Sequence, residues 1–371
     1  MTSVAVVHDY LTQRGGAERL VLSMLKAFPS APLYTSLYLP DATFPEFRRA
    51  DVRPLALDRI PFLRRHHRLA LPLLAPAFSR LTLTADVVLC SSSGWAHGTR
   101  AVGRKLVYCY TPARWLYQTQ TYLGARRPVA AAAVQVLDRQ LRKWDQKAAR
   151  SADRYLTQST AVRDRIRALY GIDAEVIPGP YRLGPGHRQV QVEGLATGFF
   201  LCVSRLLPYK NVDAVISAFA DLPRARLVVA GTGPEAGTLR RLATGNVRLV
   251  GMVSDEQLAW LYANCAGVIA AAYEDYGLTP LEAAAFGKPA AVLRWGGFLD
   301  TVVEGETGVF FDSPTPAEVA AGVARLQADA FVTSRIQKHA VAYSEERFIG
   351  SLRTAVLVEE SGAIMSPGRT A

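Results

Sequence analysis

Apolar residues in this chain come in short runs, each closed by glycine, serine, aspartate or proline and followed by a stretch with helical spacing. Twelve of these runs read as strands. In the first half they are Ser3–Tyr10, Pro32–Tyr38, Asp86–Ser91, Lys105–Thr111, Arg154–Thr157 and Glu175–Ile177. In the second half they are Phe199–Ser204, Ala225–Gly231, Val247–Val250, Gly267–Ala272, Pro289–Arg294 and Val309–Phe311. Runs such as FFLCVS and ARLVVAG are nearly continuously apolar, which suits parallel strands covered on both faces. Strands alternating with helices imply right-handed βαβ units, and hence α/β doubly wound sheets.

Between the two series lies Pro178–Gly198, rich in glycine and proline and without clear periodicity, which reads as a linker. The pattern therefore predicts two Rossmann-like domains, 1–180 and 181–343, facing a central cleft. A final helical segment, 344–371, would cross back to the first domain. Ligands in such sheets bind at the carboxyl ends of the strands, so the informative loops are those that follow strands.

Composition narrows the class. At 371 residues with 50% apolar and 20% charged residues, the chain is an ordinary globular protein, neither disordered nor fibrous. Ser3–Tyr10 has no basic stretch before it and no small-residue cleavage site after it, so no signal peptide is expected. No apolar run reaches the roughly 18 residues of a spanning helix. Cys90, Cys109, Cys202 and Cys265 are scattered without a CxxC pair and read as reduced, buried residues of a cytoplasmic protein.

Three loops carry candidate chemistry. In Tyr273–Pro289 a strand runs into Glu274, a loop with Gly277 follows, and a helix is expected from Thr279 and Pro280. Glu282 is then either the acid of a capping box on Thr279 or a ligand-binding carboxylate at a helix start able to hold phosphate. In Ser204–Asn211, Arg205 and Lys210 follow a strand and suit a pyrophosphate, although such cations are usually solvated. In Gln13–Arg19, Gly15 and Gly16 open a helix after the first strand. This is not GxGxxG, and no acidic residue ends the second strand, so a dehydrogenase-type dinucleotide site is unsupported.

Together with SSSGWAHG, YCYTPARWLY, AGTGPE and GGFLDTVVEGETGVFF, these segments resemble the family 4 retaining glycosyltransferases of the GT-B fold over nearly the whole chain. The resemblance implies that Arg205 and Lys210 bind the donor diphosphate and stabilise the departing nucleotide. It implies that Glu282 accepts hydrogen bonds from the ribose and that Glu274 contacts the transferred sugar. Amides at Gly277, Leu278 and Thr279 would bind sugar or phosphate, and Gly15 and Gly16 would let the first domain approach the diphosphate. His97 and Asp9 would lie on the acceptor side. Where the family often has CHTP, this chain has Tyr110 in CYTP, and a phenol is a poor base at neutral pH. That departure favours a front-face mechanism in which the leaving phosphate oxygen takes the acceptor proton. No DxD motif occurs, and the resemblance implies activity without a metal or other cofactor.

The expected function is transfer of a hexose, first of all mannose from GDP-mannose, to a lipid-linked or oligosaccharide acceptor in surface-polysaccharide or glycolipid synthesis. The alternatives are a UDP- or dTDP-sugar enzyme acting on a small natural product, and a two-domain ligand-binding protein without chemistry. The net charge of +11 invites nucleic acid, but no recognisable nucleic-acid module accompanies it. Up to Pro185 there are 27 basic and 13 acidic residues, or +14; the remainder has 16 and 19, or −3. The excess includes Arg64, Arg65 and Arg68 beside the apolar Leu69–Phe78, the pair Arg126–Arg127, and basic residues over Arg139–Arg154. That distribution suits a peripheral protein on an anionic membrane face, or else a solvated rim on a core segment.

Overall fold

The computed structural model describes residues 2–117 and 131–358; the side chains of His67, Arg68, Pro72 and residues 131–137 are likewise outside the description. Arg126 and Arg127 fall outside the described residues. The chain divides into two compact units, Met1–Ala113 with Ala130–Leu156 and Phe348–Ala371, and Arg114–Val129 with Thr157–Arg347.

The first unit is built on a parallel sheet. Strands β1 (Val4–His8), β2 (Leu33–Thr35), β3 (Val52–Pro54), β4 (Val87–Ser92), β5 (Arg104–Cys109) and β6 (Arg154–Thr157) lie in the order β3-β2-β1-β4-β5-β6. Strands β1 and β4 are buried at every position, as continuous apolar runs require. Their register sets Val4 against Val87 and His8 against Ser91, so the carboxyl ends of the two central strands are level. Helix α1 (Gly16–Ala27) follows β1, and α2 (Ala131–Arg150) and α6 (Glu345–Leu357) pack in the same unit. Within it, Arg104 donates to the carbonyl of Val356 at 2.6 Å and Arg353 to that of Ala27 at 3.0 Å.

The second unit repeats the plan. Strands β7 (Phe199–Val203), β8 (Leu227–Ala230), β9 (Val247–Gly251), β10 (Cys265–Ala270), β11 (Ala290–Leu293) and β12 (Gly308–Phe311) run in the order β9-β8-β7-β10-β11-β12, all parallel. Helices α3 (Thr160–Tyr170), α4 (Val212–Ala218) and α5 (Leu278–Ala285) matter most for the site.

All twelve expected strands are present, within a few residues at each end. Three more are present: Val52–Pro54, an edge with no apolar run to announce it, and the two-residue strands Thr82–Leu83 and Arg100–Ala101, which pair with each other. The division differs from a cut at residue 180. Residues from Thr157 onward belong with the second unit because Ser159 donates to the carbonyl of Asp275 at 2.6 Å and Thr160 to Asp300 at 2.7 Å. The glycine- and proline-rich segment is also no free tether. It buries Leu183, Val192 and Leu195 in the second core, and Arg248 ties down the carbonyls of Glu193 and Gly194 at 3.0 and 2.7 Å.

Candidate active site

In the second unit the structure brings Arg205, Lys210 and Glu274 onto two adjoining loops at the carboxyl ends of β7 and β10, and places Glu282 in the helix that follows the second. Strand β7 delivers Arg205, which is exposed and donates to the Tyr209 hydroxyl at 3.3 Å. Lys210 lies five residues on, largely buried, 5.0 Å above the Tyr209 ring and paired with Glu274. Asn211 then turns the chain with φ 51°, the one non-glycine positive φ among the described residues, and its amide donates to the carbonyl of Ala271 at 2.8 Å. Asparagine tolerates this left-handed geometry better than other side chains. The hydrogen bond ties the Lys210 loop to the end of the β10 segment.

The loop Tyr273–Gly277 is held from below and from the side. Gly296 and Gly297 pass so close beneath it that a Cβ would lie 2.2 Å from the carbonyl oxygen of Glu274 and 2.3 Å from Cα of Tyr276. From the side, buried Asp275 receives Arg114 through its Nε at 3.1 Å, and Arg165 at 2.9 Å. The two guanidinium groups hold the Asp275 carboxyl below its ordinary value against the pull of burial. With Asp275 turned inward, Glu274 turns outward toward Lys210.

Helix α5 begins at Leu278 after Gly277, whose φ of 90° makes the turn that other residues resist. Thr279 is therefore not the cap, and Glu282 does not form a capping box. Instead Glu282, 7% exposed, accepts from the Tyr262 hydroxyl at 2.8 Å and faces Arg182 at 3.7 Å. Burial raises its carboxyl above the ordinary value, and Arg182 opposes that. Arg182, Tyr262, Asp275, Arg114 and Arg165 carry no sequence motif of their own. Only Arg114, inside YCYTPARWLY, and Asp275, beside Glu274, lay within segments already singled out.

The first unit forms a separate polar cluster at the ends of β1 and β4. Asp9 accepts from the amides of Ser93 and Ala96 at 2.6 and 2.7 Å, fixing the turn that carries His97. His97 is 3% exposed, with Nδ1 3.0 Å from Ser92 Oγ and Nε2 3.1 Å from Asp145 Oδ1. Lys105, also buried, donates to the carbonyls of His97 and Thr99 at 2.9 and 3.1 Å. His97 is thus enclosed between Ser92 and the buried carboxylate of Asp145, inside the unit. Tyr110 is buried, donates to the carbonyl of Ala17 at 3.1 Å, and lies 2.8 Å from Ser91 Oγ. Gly15 has extended backbone that any residue adopts, φ −130°, ψ 177°. A Cβ there would stand 2.5 Å from Glu18 Oε2, so a side chain would displace the Glu18 carboxylate; Gly16 opens α1. His8 and Glu18, which sequence reasoning passed over, lie buried in this cluster.

The chain thus has two parallel α/β units, the second with Arg205, Lys210 and Glu274 on its strand-following loops. The model of Glycosyltransferase Family 4 matches residues 14–183, and that of Glycosyl transferases group 1 matches 187–345. The chain belongs to the GT-B glycosyltransferases of family 4 type. Its likenesses are partial in sequence and extensive in fold. It is 30% identical over 205 residues, 47% of this chain and 48% of the relative, to D-inositol 3-phosphate glycosyltransferase 2 of Catenulispora acidiphila. It is 33% identical over 146 residues to the GDP-mannose-dependent alpha-(1-6)-phosphatidylinositol monomannoside mannosyltransferase of Mycobacterium tuberculosis, covering 35% of this chain and 38% of that one. The matched region thus spans half or less of these curated relatives. The structure of Anabaena HepE in complex with UDP superposes with a TM-score of 0.70 at 16% identity, covering 96% of this chain and 100% of that one.

The first-unit cluster makes a pH prediction. Burial pushes His8 down to about 4 from 6.5, and pushes Asp9 up to about 6 from 3.8. Between pH 4 and 6.5 the unfolded chain protonates His8 more readily, so that residue contributes stability that grows as pH rises. Asp9 holds its proton more tightly when folded, so it contributes stability that is lost as pH rises from 3.8 to 6. Each amounts to about 3 kcal/mol, and the two oppose each other. Removing one should expose the other. In urea denaturation, the stability of Asp9→Asn relative to wild type should climb by about 3 kcal/mol between pH 4 and 6; parallel profiles would contradict this.

Proposed function

We propose that this chain transfers a hexose from a sugar nucleotide to a hydroxyl acceptor, with the donor held by the second unit and the acceptor by the first. The observation that supports the reading is that Arg205, Lys210 and Glu274 lie on two adjoining loops, with Glu282 on the helix that follows, in a chain of this family. Arg205, exposed and free to turn, binds the donor diphosphate beside Lys210. Their positive charge stabilises the nucleoside diphosphate as it leaves. Lys210 leaves its pairing with Glu274 as it engages phosphate, and Glu274 then accepts from hydroxyls of the transferred sugar. Glu282, oriented by Tyr262, accepts from the ribose. The amides of Leu278 and Thr279 at the start of α5 meet sugar or phosphate.

Two cations placed beside the leaving group supply the charge that a divalent ion supplies in other transferases, so the reaction is read as metal-independent. Neither His97 nor Tyr110 is read as a base: the histidine is buried, its Nδ1 bonded to Ser92, and burial raises the phenol still further above neutrality. This favours retention by front-face attack, the leaving phosphate oxygen taking the acceptor proton. The donor is GDP-mannose in the leading reading, in keeping with the mannosyltransferase relative. The UDP complex of the HepE structure keeps a UDP-sugar as the second.

The acceptor is read as lipid-linked or saccharide, reached from an anionic membrane face. Among the described residues no helix is long and apolar enough to cross a membrane. The segment Leu69–Phe78 is split between two environments: Ala70, Leu74, Ala75 and Phe78 are buried, while Leu69 and Leu73 are 58% and 43% exposed. Ile60 and Phe62, at 46% and 59%, extend the apolar surface, with exposed Arg59 and Arg65 and half-buried Arg64 beside them. Apolar side chains rimmed by arginine match the interface of an anionic bilayer.

Thermal shift against GDP, UDP and dTDP tests the donor. The cognate nucleotide at a hundred times its dissociation constant should stabilise by about 2.7 kcal/mol. Arg205→Ala should leave the fold intact, because the side chain is exposed, and lower kcat/KM for the donor by about a hundredfold; unaltered turnover would sink the assignment. For the membrane face, wild type should bind anionic vesicles in a salt-sensitive way. Phe62→Ser with Arg64→Ser and Arg65→Ser should weaken binding tenfold or more at about 1 kcal/mol per arginine. Equal binding to neutral and anionic vesicles would remove the membrane reading.

A further inference from the structure

The glycine- and proline-rich segment that reads as a linker carries a cation, Arg182, to the carboxylate of Glu282. Its Nε lies 3.7 Å from Glu282 Oε1, and its backbone amide also bonds to that carboxylate. The segment is pinned on both sides of this contact. The Tyr276 hydroxyl donates to the carbonyl of Gly179, and the Tyr181 amide donates to that of Tyr343 at 3.2 Å. Leu183, the next residue, is buried in the second core.

One helix supplies the other half of the arrangement. The helix Asp255–Asn264 is fixed at its start by a capping box, in which Ser254 Oγ accepts from the Gln257 amide at 3.2 Å and Gln257 Oε1 accepts from the Ser254 amide at 3.0 Å. Asp255 and Tyr262 are seven residues apart, so both stand on one face of it. Asp255 pairs with the Arg182 guanidinium, and Tyr262 donates to Glu282 Oε2 at 2.8 Å. Tyr262 is fully buried with its ring stacked on Phe286 at 5.8 Å, and burial keeps its phenol protonated far above neutral pH. Its one proton is therefore available to Glu282.

These contacts set the state of the acid. A carboxyl this buried is drawn toward its neutral form, which would present a proton where a lone pair is needed. The Arg182 charge opposes that. Tyr262 on one oxygen and Arg182 beside the other fix which way the group is turned. An ionised carboxylate has about four acceptor sites. Tyr262 and the Arg182 amide each take one, which leaves room for the two donors of a ribose diol.

We propose that Arg182 and Tyr262 are positioning residues that hold Glu282 for this diol, and so set the preference of the site for a nucleotide whose ribose keeps both hydroxyls. The proposal rests on the reading of Glu282 as the ribose acceptor, and the experiment separates the two. Dissociation constants of GDP, UDP and their 2′,3′-dideoxy forms are measured by calorimetry on the full chain. Wild type should bind at least one ribonucleotide about tenfold or more tighter than its dideoxy form. Arg182→Gln should cut that ratio about fivefold or more by weakening the ribonucleotide, with the dideoxy form within about twofold of wild type. Arg182→Lys, which keeps the charge, should recover most of the ratio. Tyr262→Phe keeps the stacked ring and should lower the ratio in the same way, so it decides the matter if Arg182→Gln fails to fold. A ratio lost in Glu282→Gln but unchanged in Arg182→Gln and Tyr262→Phe overturns the proposal and leaves the ribose reading standing. Equal weakening of both nucleotide forms in the two variants also overturns it, since that is what a purely structural role produces. Wild type that binds neither ribonucleotide, or binds it no better than its dideoxy form, overturns the proposal and the ribose reading together.

Discussion

The site in the second unit depends on a buried carboxylate that is not itself turned toward a ligand. Asp275 is 3% exposed and draws in Arg114 and Arg165. Removing one partner from such a buried pair typically costs 3–5 kcal/mol, because the other charge is left stranded. That constraint fixes the backbone between Glu274 and Gly277, and everything nearby follows from it. Because Asp275 points inward, Glu274 faces Lys210. Because Gly277 then takes a left-handed turn, α5 starts at Leu278 and carries Glu282 inward to Tyr262 and Arg182. The glycine pair beneath the loop is required by the same geometry, since no side chain fits under Glu274 and Tyr276.

The first unit solves a different problem with similar means. Its strands end level, so His8, Asp9, Ser91 and Ser92 converge where β1 and β4 stop. Most of the polar atoms there satisfy one another. Asp9 and Lys105 are spent on holding the turn at His97.

Much of this was legible in the sequence. Continuous apolar runs such as FFLCVS suit parallel strands in a covered sheet, and all twelve expected strands appear. Arg205, Lys210, Glu274 and Glu282 could be singled out because each follows a strand or opens a helix beside glycine. The roles within the loops were less legible. The spacing of Thr279 and Glu282 fits a capping box, but the positive φ of Gly277 moved the helix start and the buried Tyr262 claimed the acid. Asp275 carries no motif of its own, and its arginines lie 161 and 110 residues away along the chain. His8 was hidden by its place at the end of an apolar strand, where a histidine is most often a satisfied core residue. The register sets it against Ser91, whose Oγ lies 2.9 Å from His8 Nδ1.

The central claim is that two cations on the loop after β7, acting without a metal, carry the departure of the nucleotide. Lys210 is the sharper probe, since it is largely buried and already paired with the carboxylate that would face the sugar. The direct measurement is release of nucleoside diphosphate from GDP-mannose or UDP-glucose in the presence of EDTA, by wild type and by Lys210→Ala. The account predicts release by wild type that EDTA does not abolish, and a rate about a hundredfold or more lower in the variant. Release that needs added Mg²⁺, or a variant as fast as wild type, would contradict it.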